Sequence, residues 1–300
     1  MELLTNFKHS VIEKNLGVYG IHVYQNGKTL AEYRFRSNDR ENLYSASKTF
    51  ASVEIGIAEN EGRFQLSDQV LNFFPEYKTI AYPGSEKITI KNLLQMSSGH
   101  SSEDFSQYNK KDRAELFFIS EMKAEPGSNF YYEDLCSYML GRIVEKVTGK
   151  TMLEYLKPRL FEPLEIINPQ WHTCQNGHTS CSGGLYLTTE EFSRIGITLL
   201  QNGVYKDIQI VPDDYVNRLH MDFVDTSSKN DPETRGGYGY QVFKCTPPGT
   251  YRADGMYGQL CVVLKDYDAV VTVTAHNEIE HKEILRTIWS DILPILTSKS

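Results

Sequence analysis

Ser45-Ala46-Ser47-Lys48 puts a hydroxyl and an amine three residues apart, where a turn enters the apolar-periodic run Thr49-Phe50-Ala51-Ser52-Val53. On a helix, positions i and i+3 share a face, so the Lys48 amine can reach the Ser45 hydroxyl. A serine at a helix N-terminus also has free backbone N–H groups and the positive dipole end beside it, and both favour an oxyanion. A neutral lysine can then take the serine proton as the oxygen attacks a carbonyl. The spacing alone proves little, because Ser120-Glu121-Met122-Lys123 repeats it. That copy follows Leu116-Phe117-Phe118-Ile119 and precedes Pro126-Gly127, so it reads as a helix end, where the dipole opposes an oxyanion.

A nucleophile of this kind needs a second proton handler near Lys48. The candidate is Tyr132, in Pro126-Gly127-Ser128-Asn129-Phe130-Tyr131-Tyr132-Glu133-Asp134, which leads into Leu140-Gly141 and a helix ending at Thr148-Gly149. Here the chain resembles the class C β-lactamase and penicillin-binding-protein-like serine hydrolases, a family with related esterases and peptidases. Its members carry Pro-Gly, then Phe-x-Tyr-x-Asn, then a helix with Leu-Gly that ends near Thr-Gly. Ile90-Lys91-Asn92-Leu93-Leu94-Gln95-Met96-Ser97-Ser98-Gly99 is similar to the family's turn after a short helix. Leu160-Phe161-Glu162-Pro163-Leu164 and Ser182-Gly183-Gly184-Leu185-Tyr186 resemble two further markers. The resemblance runs from about residue 17 to residue 280.

Carried over residue by residue, the resemblance implies Ser45 as the acylated nucleophile, Lys48 as its partner and Tyr132 as the group that moves the proton to the leaving group. Asp134 stands where the family usually has Asn. It can accept from Lys48, but while ionised it cannot donate to a substrate amide. The family's third motif, a strand beginning Lys-Thr-Gly or His-x-Gly, is best matched by Arg252-Ala253-Asp254-Gly255-Met256. In that register Gly255 takes the glycine, and Ala253 replaces the cation. The N–H groups of Ser45 and Met256 would form the oxyanion hole, each such donor typically worth about 3 kcal/mol in the transition state. With the cation lost and Asp254 gained, recognition of a substrate carboxylate should weaken. Arg252 can substitute only if its side chain turns inward.

Two other clusters compete for attention. His172, Cys174, His178 and Cys181 fall within ten residues, but their spacing departs from common structural zinc patterns, so they read as a polar loop leading to Gly183-Gly184. His276-Asn277-Glu278-Ile279-Glu280-His281 lacks the H-E-x-x-H order and reads as a surface turn. There is no G-x-S-x-G elbow, phosphate-binding glycine loop or dinucleotide fingerprint. No cofactor or metal is expected.

The elements that must position these residues follow from periodicity. Strand-like runs at Gly17–Tyr24 and Thr29–Phe35 flank Asn26-Gly27, a strong hairpin signal. The Ser45 helix reaches about Asn60, and residues 65–160 read as almost wholly helical. A helix at Thr189–Asn202 starts on the cap-like Thr188-Thr189-Glu190-Glu191. Strands return at Tyr238–Lys244, Thr250–Ala253, Gln259–Leu264 and Ala269–Thr274, and a helix fills Lys282–Leu296. The expected fold is α/β (α+β): an antiparallel sheet flanked by helices, with an all-helical insert, β-lactamase/transpeptidase-like. Residues 1–64 and 161–300 would make the sheet domain and 65–160 the helical one, with the site at their interface.

Three hundred residues, 40% hydrophobic and 23% charged, suit a soluble globular protein with a sizeable core. A net charge of −8 with no basic cluster argues against nucleic acid or anionic membrane as partners. The opening Met1-Glu2-Leu3-Leu4-Thr5-Asn6-Phe7-Lys8 makes no signal-peptide core, and the five cysteines are odd in number and widely spaced. Reduced thiols in a cytoplasmic protein are expected. The sequence thus points to a serine hydrolase of small-molecule esters or amides. A D-amino-acid peptidase or carboxypeptidase, a weak β-lactamase and a catalytically silent ligand-binding homologue are the alternatives.

Overall fold

The computed structural model describes residues 3–101, 103–109 and 112–298. Helix α1 (Thr5–Glu13) precedes the hairpin of β1 (Val18–Gln25) and β2 (Lys28–Arg34). Asn26 and Gly27 both take positive φ, 50° and 78°, as the tight hairpin turn requires. A short strand β3 (Glu41–Asn42) and one 3₁₀ turn (Tyr44–Ala46) deliver the chain into α2 (Ser47–Asn60). The middle holds α3 (Ile90–Leu94), α4 (Arg113–Ile119), α5 (Asp134–Thr148) and α6 (Met152–Leu156). Then come β4 (Gln170–Trp171), β5 (Leu185–Leu187), α7 (Thr189–Leu200), the small hairpin β6 (Val204–Tyr205) and β7 (Ile208–Gln209), and α8 (Asp213–Met221). The last part supplies β8 (Phe243–Lys244), β9 (Thr250–Gly255), β10 (Gln259–Leu264), β11 (Ala269–Ala275), α9 (Lys282–Asp291) and α10 (Leu293–Thr297).

The main sheet has the order β2-β1-β11-β10-β9-β8, and its neighbouring strands run antiparallel. Alternation of side chains divides the core in two. Ile21, Val23, Leu260, Val262, Val271 and Val273 face α1, α9 and α10. Cys261, Val263 and Val270 face the other way, joining one core with α2, α5 and α7. The helix Thr188 caps, α7, lies against β1, β10 and β11 on that second face.

Helix α2 is buried from Ser47 to Ala58, which makes it a central strut instead of a surface helix. Phe50 anchors it, stacking on Phe161 and meeting Trp171 edge to face. Burying a ring of this size typically contributes about 1.5–3 kcal/mol. The strut therefore holds Ser45 and Lys48 on a rigid base.

Three expectations change. Among its described residues the stretch 65–160 carries four α-helices separated by 3₁₀ turns and loops, because Pro75, Pro83-Gly84, Gly99 and Pro126-Gly127 interrupt its periodicity. The strand expected at Tyr238–Lys244 shrinks to β8, since Gln241 turns left-handed with φ 61°. The last helix splits at Ile292, where Pro294 enters the first turn of α10.

Candidate active site

Tyr44, φ 46°, bends the chain sharply just before Ser45, and its N–H is taken by the Asn42 side chain at 2.9 Å. Asn42 Oδ1 also accepts from Gly184 N–H at 3.2 Å, tying this turn to the Gly183-Gly184 segment. Trp171 Nε1 donates to the Gly183 carbonyl at 3.0 Å, and Leu185 N–H donates to Ser47 Oγ at 3.2 Å. These bonds leave the Ser182 carbonyl aimed at Lys48, which donates to it at 2.8 Å.

Lys48, in the first turn of the buried strut, is 1% exposed. Its Nζ lies 2.9 Å from Ser45 Oγ and 2.7 Å from Asp134 Oδ1. The Tyr132 phenol lies beside both Ser45 and Lys48 and interacts electrostatically with them, and the ammonium sits 4.9 Å from the Tyr132 ring centre. The four side chains the sequence singled out therefore meet in one small volume. Tyr132 is held flat against Phe243, ring centres 6.1 Å apart, and edge-on to Tyr238.

The electrostatics depart from the neutral lysine of the sequence argument. Burial opposes charge on Lys48, but the Tyr132 oxygen and the Asp134 carboxylate outweigh it and hold the ammonium above its ordinary pKa. Burial raises the Tyr132 phenol; Lys48 and the Ser45 hydrogen bond pull it down, Asp134 pushes it up, and the net shift is upward. At neutral pH the resting cluster is thus a phenol, an ammonium and a carboxylate. One proton must leave it before Ser45 can be deprotonated.

Strand β9 ends against the Ser45 turn. A Cβ on Gly255 would fall 2.2 Å from the Leu43 carbonyl oxygen and 3.1 Å from the Ala46 nitrogen, so only glycine permits this approach. The approach sets Met256, 53% exposed, beside the turn that carries Ser45. Tyr257, which follows, has φ 66° and packs edge-on to Tyr44, ring centres 5.0 Å apart. Two left-handed tyrosines thus flank the place where the oxyanion donors were expected.

Arg252 does not turn toward a substrate. It is fully buried, its Nε donates to Asp254 Oδ2 at 2.7 Å, and its guanidinium lies over Phe243 at 5.1 Å. Asp254 is largely covered and already neutralised, and Ala253 is buried and carries no charge. The one cation of this strand, Arg252, is thus buried and paired with Asp254.

The remaining candidates disperse. His178 pairs with Glu145 at 2.7 Å, His172 packs at a tilt against Tyr186, and the Cys181 and Cys174 thiols meet Met152 and Tyr138. Among the described residues no group of three or more His, Cys, Asp or Glu side chains is placed to hold a metal ion. Ser120 caps the end of α4 by donating to Leu116 O at 2.7 Å. His276 bonds Glu278 but also stacks on Tyr257, at 4.3 Å, which brings that surface turn to the edge of the site. Sequence reasoning missed the Ser182 carbonyl, for which Gly183-Gly184 was the available signal. It also missed Tyr238 and Phe243, which no local pattern marks.

An antiparallel sheet with helices on both faces, a Ser-x-x-Lys turn at one edge and a tyrosine brought in from the helical middle define a β-lactamase-fold protein. The chain matches the Beta-lactamase family over residues 6–288 and belongs to that family. It is 26% identical over 219 residues to the 6-aminohexanoate-dimer hydrolase of Paenarthrobacter ureafaciens, covering 66% of this chain and 55% of that protein. It is 26% identical over 180 residues to Protein flp of Staphylococcus aureus, 54% of this chain and 36% of that one. The matched stretch is thus less than two thirds of either relative's length. The octameric penicillin-binding protein homologue from Pyrococcus abyssi superposes with a TM-score of 0.76 at 19% identity, over 99% of this chain and 77% of that one. Among the described residues no helix is long and apolar enough to cross a membrane.

Proposed function

We propose that this protein is a serine hydrolase that forms an acyl-enzyme on Ser45 from small esters or amides. The observation that carries the reading is Lys48 Nζ at 2.9 Å from Ser45 Oγ, with the Tyr132 ring 4.9 Å from the same nitrogen. Once one proton has left the Tyr132/Lys48 pair, Ser45 Oγ bonds to the substrate carbonyl carbon and its proton enters the pair. The N–H groups of Ser45 and Met256 stabilise the oxyanion. As the carbonyl re-forms, the bond to the leaving alkoxide or amine breaks, and that group takes the proton from the pair. A water molecule then attacks the Ser45 ester by the same route, releasing the acid and restoring the serine.

The substrate class follows from the charges. With Ala253 in the place of a cation and Arg252 committed to Asp254, nothing on β9 is free to pair with a substrate carboxylate. Asp134 accepts hydrogen bonds and donates none. Neutral esters and amides therefore suit the site better than β-lactams or C-terminal carboxylates. The dimer hydrolase named among the relatives supports hydrolysis as the reaction class, while the dimer in its name itself ends in a carboxylate. We read residues 65–160 as the lobe that brings Tyr132 and Asp134, and 1–64 with 161–300 as the lobe that brings Ser45, Lys48 and Met256. The five free, buried cysteines fit a reducing compartment such as the cytoplasm.

Intact-protein mass after treatment with a fluorophosphonate tests the reading. A single adduct on wild type that is absent in Ser45→Ala is expected. An unlabelled wild type would overturn it in favour of a catalytically silent homologue. Rates on p-nitrophenyl esters, D-amino-acid anilides and nitrocefin then rank the substrates, with the esters expected first.

A further inference from the structure

Glu133 lies between Tyr132 and Asp134 and has the extended backbone φ −139°, ψ 125°. In an extended chain, side chains alternate sides. Tyr132 and Asp134 therefore point together at Lys48, while Glu133 points back into the protein. There it is 0% exposed, accepting from Ser98 Oγ at 3.0 Å, from His100 Nδ1 at 3.1 Å and from Cys136 Sγ at 3.3 Å. Ser98 Oγ in turn accepts the His100 N–H at 3.3 Å, and the His100 ring is fixed edge-on to Phe117.

This arrangement has a cost. Glu133 occupies the N-cap position of α5, yet makes no capping bond. The cap comes from elsewhere: Glu103 accepts the N–H groups of Asp134 and Leu135 at 3.0 and 2.9 Å. Burying a carboxylate against a histidine is also unfavourable unless its partners are complete. A core site with no further purpose is filled more stably by apolar side chains.

We propose that Glu133, held by Ser98 and His100, is a positioning residue that fixes the angle at which Tyr132 meets Ser45 and Lys48. The Ser97-Ser98-Gly99-His100 turn is then the back wall of the proton-transfer site. Gly99, with φ 97°, is the hinge that lets this turn fold under α5; a Cβ there would fall 2.3 Å from the Ala124 carbonyl oxygen. Glu133 and His100 touch neither substrate nor reacting atoms. They act by removing the freedom of the Tyr132–Asp134 segment, whose displacement by about 1 Å can slow a reaction on the order of a hundredfold.

The inference rests on the Ser45 acylation reading, and its test separates the two. In Glu133→Ala, fluorophosphonate labelling of Ser45 and kcat on a p-nitrophenyl ester should both fall about a hundredfold while KM stays within about threefold. Glu133→Gln keeps an acceptor oxygen for Ser98 and should recover to within about fivefold of wild type, the scale of one neutral hydrogen bond. Should Glu133→Ala fail to fold, His100→Gln, which attacks the pair from its far end, gives the decisive rates, with a loss of about tenfold expected in kcat and not in KM. A folded Glu133→Ala or His100→Gln that labels Ser45 within twofold of wild type would overturn the proposal. If wild type takes no label, it is the hydrolase reading that fails. The positioning claim is then decided by ultraviolet titration of Tyr132, isolated by subtracting the Tyr132→Phe curve. In Glu133→Ala its pKa should drop toward that of a free tyrosine, and an unmoved titration would sink the claim.

Discussion

Lys48 Nζ and Asp134 Oδ1 are 2.7 Å apart, and the same nitrogen is 2.9 Å from Ser45 Oγ. The amine closest to the nucleophile is therefore kept charged by the Tyr132 oxygen and by a carboxylate. Asn in place of Asp134 would remove the second of these and leave the first. Phenol and ammonium act on each other's protonation, so the pH at which activity appears belongs to the pair.

Replacing Asp134 with Asn removes an upward push on both Lys48 and Tyr132. Both lose their protons more readily, so the alkaline rise of kcat/KM should move to lower pH. A pH series on one p-nitrophenyl ester checks this; an unmoved profile would show that Asp134 does not set the charge of the cluster. The new amide can also donate to a substrate carbonyl, so penicillin should acylate Ser45 faster in this variant than in wild type.

Tyr132→Phe keeps the ring stacked on Phe243 and removes only the hydroxyl. The expected loss is in kcat, about 10²- to 10⁴-fold, the range of a positioned proton-transfer group. The melting temperature should barely move. A variant with wild-type kcat would assign proton transfer to Lys48 alone.

Gly255→Ala places a methyl group 2.2 Å from the Leu43 carbonyl oxygen, so β9 must back away from the Ser45 turn. Met256 N–H retreats with it, and losing one oxyanion donor typically costs about 10²- to 10³-fold in kcat. Steady-state kinetics beside a thermal melt separate this from unfolding: activity should collapse in a sample that still melts cooperatively.

Glu54 lies in α2, fully buried, and neither of its carboxyl oxygens has a hydrogen-bond partner among the described residues. Burial, reinforced by Glu145, raises its pKa well above the ordinary carboxylate value, so it is protonated in the fold. The unfolded chain releases that proton at lower pH than the folded one. Its contribution is therefore fully present below the unfolded pKa, and stability declines as pH rises from there toward the folded pKa. Glu54→Met should flatten that decline and raise stability by about 1–3 kcal/mol at neutral pH. Denaturant melts at several pH values check both the sign and the slope.

How far the sequence could be read depended on whether the information was local. Hairpin β1–β2 was legible because Asn26-Gly27 encodes its own turn, and α7 because Thr188 and Glu191 encode its cap. Ser45 and Lys48 were legible because helical spacing alone puts them together. Tyr132 and Asp134 needed the family resemblance, since the contact that matters spans most of a hundred residues. The charge on Lys48 was hidden for a different reason: it depends on how deep the amine is buried and on which oxygens face it. The role of Ser182 was hidden because a backbone carbonyl leaves no side-chain signature. Arg252 was ambiguous until its neighbours Asp254 and Phe243 were in place.

Strand β1 sits inside the main sheet, and one of its two neighbours is β11, more than two hundred residues away in the chain. A growing polypeptide therefore exposes Ser45 and Lys48 long before it supplies the platform behind them and the Met256 rim. Closing so long a loop is slow and comes late in folding. Reactivity should thus switch on in a single step once β11 has paired with β1, which leaves a chain still lacking β9 to β11 chemically inert.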